Sequence, residues 1–250
     1  MNFLELVRSP QKRAVIASVP EGYDASLAAQ LASSGERVLH VARDEAHALA
    51  FAEAAGWFAP GLPVCVFPAW DCVPYDRVSP RADIMARRLA ALSELGGAAS
   101  SAKSLLVVTT VNALLQRVPA RALLKSLTRT LKPGAIEPMD RLVPHLERIG
   151  YTRAATVVEP GDYAVRGGIL DLFPPGQDVP LRLDYFGDAI ERIRAFDPET
   201  QKSRGEVRSA TLLPVSEIVL DAETIRRFRA GYVAAFGAIT DGDPLYEAIS

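Results

Sequence analysis

Arg182, Asp184 and Phe186 alternate with Leu181, Leu183 and Tyr185. At strand spacing, successive side chains point to opposite faces, so each trio occupies a face of its own. The apolar trio reads as a core face. Arginine, aspartate and phenylalanine together on the other face suit a protein-binding hot spot better than a catalytic centre. The competing reading turns Phe186 into the core at the strand end. Upstream, Asp162–Pro174 reads as short strands joined at Gly167–Gly168, with Arg166 at the turn. On the residues alone, Arg166 is placed to brace that turn against Asp171. Downstream, Arg194 lies in the next strand, where Glu191 or Asp184 is in reach as an ion-pair partner.

Other chemistry lacks its residues. The first expected strand-to-helix connection is Val19–Pro20–Glu21–Gly22–Tyr23–Asp24–Ala25, without the lysine and hydroxyl of a phosphate-binding loop. Glu21 and Asp24 repel phosphate at a helix start that otherwise favours anions. Cys65 and Cys72 form no Cys-x-x-Cys pair, and His40, His47 and His145 are scattered, so a metal site is not expected. Asp71 and Asp76 lie in the Pro-rich loop Phe67–Pro80 beside Trp70 and Tyr75, but no nucleophile accompanies them. Ser18 and Ser79 lack a nucleophile-elbow context. The expectation is a binding module, not a catalyst: no catalytic residue, no metal and no cofactor in these 250 residues.

These residues need a scaffold. Apolar runs at Ala14–Val19, Arg37–Ala42, Val64–Phe67 and Leu105–Thr109 read as strands. Between them, Asp24–Ala32 (with Asp24 as N-cap), Asp44–Ala55 and Asp83–Leu95 read as helices, and Val111–Arg117 follows as a short one. Strand and helix in alternation predict a parallel sheet covered on both faces. The rhythm stops near Pro119–Lys125. Short strands at glycine-punctuated spacing follow, with a helix at Met139–Ile149, which predicts a smaller α+β domain. A helix over Ala222–Phe236 closes the pattern, and the final residues read as an interrupted helix, so an N-terminal fragment is expected. The net charge of −2, balanced on both sides of Arg121, gives no basic stripe for nucleic acid. Weak DNA binding at most is expected. Glu5, Arg8, Lys12 and Arg13 interrupt any leader-like run, and no apolar run is long enough to span a bilayer, so a cytoplasmic location is expected.

The segments Phe67–Pro80, Val107–Arg117, Gly161–Pro174 and Leu181–Thr200 together resemble the N-terminal region of the bacterial transcription-repair coupling factors (Mfd). The likeness runs from the first strand to about Pro214. Tyr163–Pro174 and Arg182–Thr200 are also similar to the excision-repair helicase subunit UvrB, from which the chain departs by lacking the phosphate-binding lysine and an evident damage-gripping hairpin. The resemblance implies a degenerate helicase-like (RecA-like) α/β domain over Met1–Ala120. It further implies an inserted small α+β domain that binds UvrA over Arg121–Leu213, and the start of a return segment over Pro214–Ser250. It implies UvrA contacts at Arg166, Arg182, Phe186 and, as a neighbour, Arg194. On this reading Arg182 and Phe186 are replaceable by alanine without loss of the fold. ATP and Mg, RNA polymerase and double-stranded DNA are implied only for other domains of the full-length protein. The alternative is a UvrB-like ATP-dependent helicase or DNA-binding module.

Overall fold

In the computed structural model, residues 3–8, 13, 15–73, 78–97, 102–237 and 243–249 are described. The chain is mixed α/β and divides into two compact units, Met1–Arg121 and Ala122–Ser250.

The first unit contains α1 (Phe3–Arg8), α2 (Tyr23–Ser33), β1 (Arg37–Ala42), α3 (Glu45–Phe58), β2 (Val64–Phe67), α4 (Ala82–Gly96), β3 (Leu105–Thr110) and α5 (Val111–Leu115). The strands form a parallel sheet in the order β1-β3-β2. Central β3 is the most deeply buried of the three, and α2 and α3 pack over it through alanines and Phe51. Small residues let these helices approach the sheet closely. Asp44 caps α3, its carboxylate accepting from the His47 N–H at 2.9 Å.

Two local expectations are corrected here. Ala14 lies outside the described residues, and Val15–Val19 join no sheet, so the expected first strand is absent among the described residues. Gly22, not Asp24, is the N-cap of α2, at φ 78°. A left-handed cap favours glycine, which has no Cβ to clash. Beneath the Trp70 loop, Arg88 of α4 is fully buried. Its Nη1 donates to the Pro68 carbonyl at 2.7 Å and to Gln116 Oε1 at 2.9 Å, with Cζ 4.4 Å from the Phe67 ring centroid. The loop is thus anchored onto α4. Asp71 accepts from the Arg81 N–H at 3.1 Å, whereas Tyr75 and Asp76 lie outside the described residues.

The second unit contains α6 (Arg121–Leu127, starting at the boundary), β4 (Arg129–Leu131), α7 (Met139–Arg148), β5 (Thr152–Arg153), β6 (Asp162–Arg166), β7 (Ile169–Leu172), β8 (Leu181–Phe186), β9 (Ala189–Phe196), β10 (Ser203–Glu206), β11 (Ala210–Leu212), α8 (Ala222–Phe236) and α9 (Pro244–Ile249). Six strands form one sheet in the order β10-β9-β8-β7-β6-β5, and β4 pairs with β11 separately. All neighbours in the large sheet are antiparallel except β5 and β6.

One face of this sheet builds the main core. Tyr163, Leu170, Leu172, Leu181, Leu183, Ile190 and Ile193 cluster with Leu142 and Leu146 of α7. The alternation that places Leu181 and Leu183 inward leaves Arg182 and Asp184 on the opposite face. There a smaller cluster of Val157, Ala164, Phe173 and Phe196 covers only part of the surface.

Candidate interaction surface

Strand register arranges the outward side chains in three rows across the sheet. Ala164, Asp171, Arg182 and Arg194 form the first, and Arg166, Ile169, Asp184 and Arg192 the second. The third lies at the hairpin end, where Phe186 pairs with Ala189 and Ala189 forms an isolated antiparallel bridge with Ile136. Side chains at paired positions lie about 5 Å apart at their Cβ atoms, so each row is a contiguous strip.

Two-residue turns close the hairpins that carry these rows, with Gly167 at φ 57° and Gly187 at φ 59°. Such tight turns need a positive φ, which glycine supplies without steric cost. Between Asp184 and Tyr185 the β8–β9 register shifts, leaving Glu191 as an extra residue. A bulge of this kind increases local twist and re-aims neighbouring side chains.

The first row is held from within. Arg182 Nε and Nη2 donate to the two Asp171 carboxylate oxygens at 2.7 and 2.9 Å, and its Cζ lies 4.7 Å from the Phe196 ring centroid. The Asp171 side chain is 3% exposed and that of Arg182 15%. The bond to Asp171 raises the Arg182 pKa further, so the guanidinium stays charged. Arg182 Nη1 also donates to the Gln201 carbonyl at 3.4 Å, while Gln201 Nε2 donates to the carbonyls of Val157 and Pro198. Arg182 is thus a strut, tied into the fold beneath the 155–158 and 197–201 loops, whereas the strand pattern alone marks it as a surface residue.

The remaining arginines are more open. Arg194 donates from Nε and Nη2 to Asp184 at 2.8 and 2.7 Å, choosing Asp184 over Glu191, with its side chain 31% exposed. Arg166 is exposed and donates from Nη2 to the Ala155 carbonyl at 2.6 Å and to Thr156 Oγ1 at 3.4 Å. It braces the neighbouring loop, because Asp171 is already engaged by Arg182. Arg192, which the sequence did not single out, stands in the second row 3.9 Å from Glu191 Oε2, a loose contact.

Phe186 is 82% exposed and does not turn into the core. An aromatic ring projecting from a two-residue hairpin, flanked by a row with two arginines, has the anatomy of an interface centre with a polar rim. The arrangement holds no nucleophile beside a base. Its available chemistry is recognition: one apolar anchor and guanidinium forks suited to carboxylates.

In the first unit, a cavity of about 650 Å³ lies at the α2 N-terminus, lined by Glu21, Gly22, Asp24, His40, Arg43 and Phe51 among others. No lysine is among its described lining residues. The His40 ring stacks on Phe51 with centroids 3.4 Å apart, and burial lowers its pKa against the opposing pull of Asp24. Among the described residues no group of three His, Cys, Asp or Glu is placed to hold a metal, and no helix is long and apolar enough to cross a membrane.

The UvrB interaction domain family matches residues 130–218, a span that contains all three rows. The transcription-repair-coupling factor of Haemophilus influenzae is 40% identical over 188 residues, 75% of this chain and 16% of that protein. The Escherichia coli factor is 36% identical over 181 residues, covering 72% and 15%. The Rickettsia bellii factor is 33% identical over 210 residues, covering 84% and 18%. The chain therefore spans less than a fifth of the length of these relatives. The chain thus carries a match to the UvrB interaction domain inside a likeness, over most of its residues, to part of the transcription-repair-coupling factors.

Proposed function

We propose that this chain is an N-terminal recruiting module that binds UvrA through the outward face of the β8–β9 hairpin. The carrying observation is Phe186, 82% exposed within the UvrB interaction domain and beside the row that bears Arg166 and Arg192. Phe186 supplies the apolar anchor. Arg166 and Arg194 face carboxylates of the partner, and Arg182 positions the surface through Asp171. Met1–Ala120 is then a degenerate helicase-like domain, Arg121–Leu213 the UvrA-binding domain, and Pro214–Ser250 a return segment. In the full-length protein, recruitment serves repair at RNA polymerase stalled on damaged DNA, in the cytoplasm. ATP and Mg drive translocation on double-stranded DNA from motor domains other than this segment.

Calorimetric titration of the chain into purified UvrA tests the reading. Phe186→Ala should weaken binding by about 1–3 kcal/mol, the range for an interface anchor, while leaving the thermal midpoint in place. A parent chain that does not bind UvrA overturns the proposal, as does a Phe186→Ala variant that binds like the parent.

This segment itself has no catalytic role. Glu21 and Asp24 line the cavity at the α2 N-terminus, and carboxylates there oppose a polyphosphate. Millimolar ATP with Mg should neither raise the melting temperature of the chain nor be hydrolysed, with or without DNA. Ligand-dependent stabilisation of the kind that tight binding enforces is the contrary result and favours the helicase alternative.

A further inference from the structure

Ile136 is 79% exposed, although the residues on either side of it bond to β9 as strand residues do. Gly134 N–H donates to the Ile190 carbonyl at 2.7 Å, Ile190 N–H to the Ala135 carbonyl at 3.0 Å, and Glu137 N–H to the Asp188 carbonyl at 3.0 Å. Residues 134–137 thereby add a short rung to β9 beside the hairpin turn. Further along, β10 pairs with Phe196 and Arg194 of the same strand. Glu137, next in sequence, ion-pairs with Arg129 and helps hold the Tyr185 hydroxyl pKa up at about 12, behind burial as the larger cause. Alternation therefore sends Glu137 toward the core side and Ile136 outward.

Ile136, Ala189 and Phe186 are successive cross-strand neighbours on one face. The strip spans about 10 Å at ordinary strand spacing. Single exposed apolar residues are commonplace and carry no message. An isoleucine held in register with an 82%-exposed phenylalanine, continuous with the surface described above, is a different case. No core packing accounts for it, because Ile136 belongs to none of the buried clusters.

We infer that Ile136 is a second apolar anchor for UvrA, so that the partner presents an apolar groove matching the Phe186–Ala189–Ile136 ridge, bordered by carboxylates where it meets Arg166 and Arg192. This rests on the UvrA reading. The groove follows from the ridge having large side chains at both ends and small Ala189 between them. The bordering carboxylates follow from charge complementarity with the second row. There Arg166 donates to a carbonyl and a hydroxyl, and Arg192 approaches Glu191 only to 3.9 Å, so both guanidiniums keep donors for a partner.

The test is calorimetry of UvrA binding for Ile136→Ala, Ile136→Asp and Phe186→Ala, with thermal melts of each. Leu115→Ala, a change at an equally exposed residue of the first unit, controls for unspecific apolar contact. Ile136→Ala should weaken binding about ten-fold. Ile136→Asp should weaken it further, because it sets a charge against both the groove and the bordering carboxylates. Melting temperatures should stay at the parental value. If Phe186→Ala weakens binding and both Ile136 variants bind like the parent, the second anchor is refuted while the UvrA reading stands. Equal weakening by Leu115→Ala also refutes it. If the parent does not bind UvrA, both fall together.

Discussion

Arg182→Ala should melt the second unit well before it informs on binding. The substitution leaves the Asp171 carboxylate, 3% exposed, without its bidentate partner in a site roofed by Phe196 and the 155–158 and 197–201 loops. Removing one member of a buried ion pair costs about 3–5 kcal/mol, because the charge left behind keeps its desolvation penalty. At about 4 °C per kcal/mol for a unit of this size, the midpoint should fall by roughly 12–20 °C. Arg182→Lys should recover only part of this, since an ammonium neither forks onto both carboxylate oxygens nor stacks flat on the ring. Replacing both partners, Arg182→Met with Asp171→Leu, should restore most of the stability, because no buried charge then remains. Thermal melts by circular dichroism beside UvrA titrations decide the matter. If Arg182→Ala melts like the parent yet loses UvrA, Arg182 is a direct contact and the strut assignment is wrong.

Leu183→Ala should be comparably damaging for a different reason. Leu183 is fully buried between Leu170 of β7 and Ile193 of β9, in the cluster that contains Leu142 and Leu146 of α7. Truncation there removes apolar contact and leaves a cavity, at about 2–5 kcal/mol. Phe186→Ala deletes a larger side chain in the same strand, yet should leave the midpoint unchanged, because Phe186 buries little in the free chain. The contrast within one strand separates core from interface. Urea denaturation of the two variants measures it. Equal destabilisation by Phe186→Ala would show that its ring packs against the fold in solution.

The two faces of β8 are legible in the amino-acid sequence alone. Period-two alternation is a local property, and it sets Leu181, Leu183 and Tyr185 on one face. Most strands and helices of the first unit follow the same local logic. The apolar run at Ala14–Val19 does not become a strand: its described residues pair with none of β1, β2 and β3. At the start of α2, the positive φ of Gly22 outweighs the side-chain preference that pointed to Asp24.

Side-chain partnerships lie beyond local pattern. Asp171 is within reach of either Arg166 or Arg182 along the chain. The β7–β8 register sets it opposite Arg182, which leaves Arg166 to the Ala155 carbonyl. Arg194 has Glu191 nearer in sequence, but the bulge turns the strand and Asp184 takes the bidentate pair. Ile136 sits between glycine, alanine and proline with no periodicity to mark it, and only pairing with Ala189 puts it beside Phe186. Composition and alternation along the chain thus settle which face of β8 is core and which residue types meet the solvent. Register, turns and bulges bring together residues distant in the sequence, and folding alone determines which arginine is a strut, which remains open, and which apolar residues form a ridge.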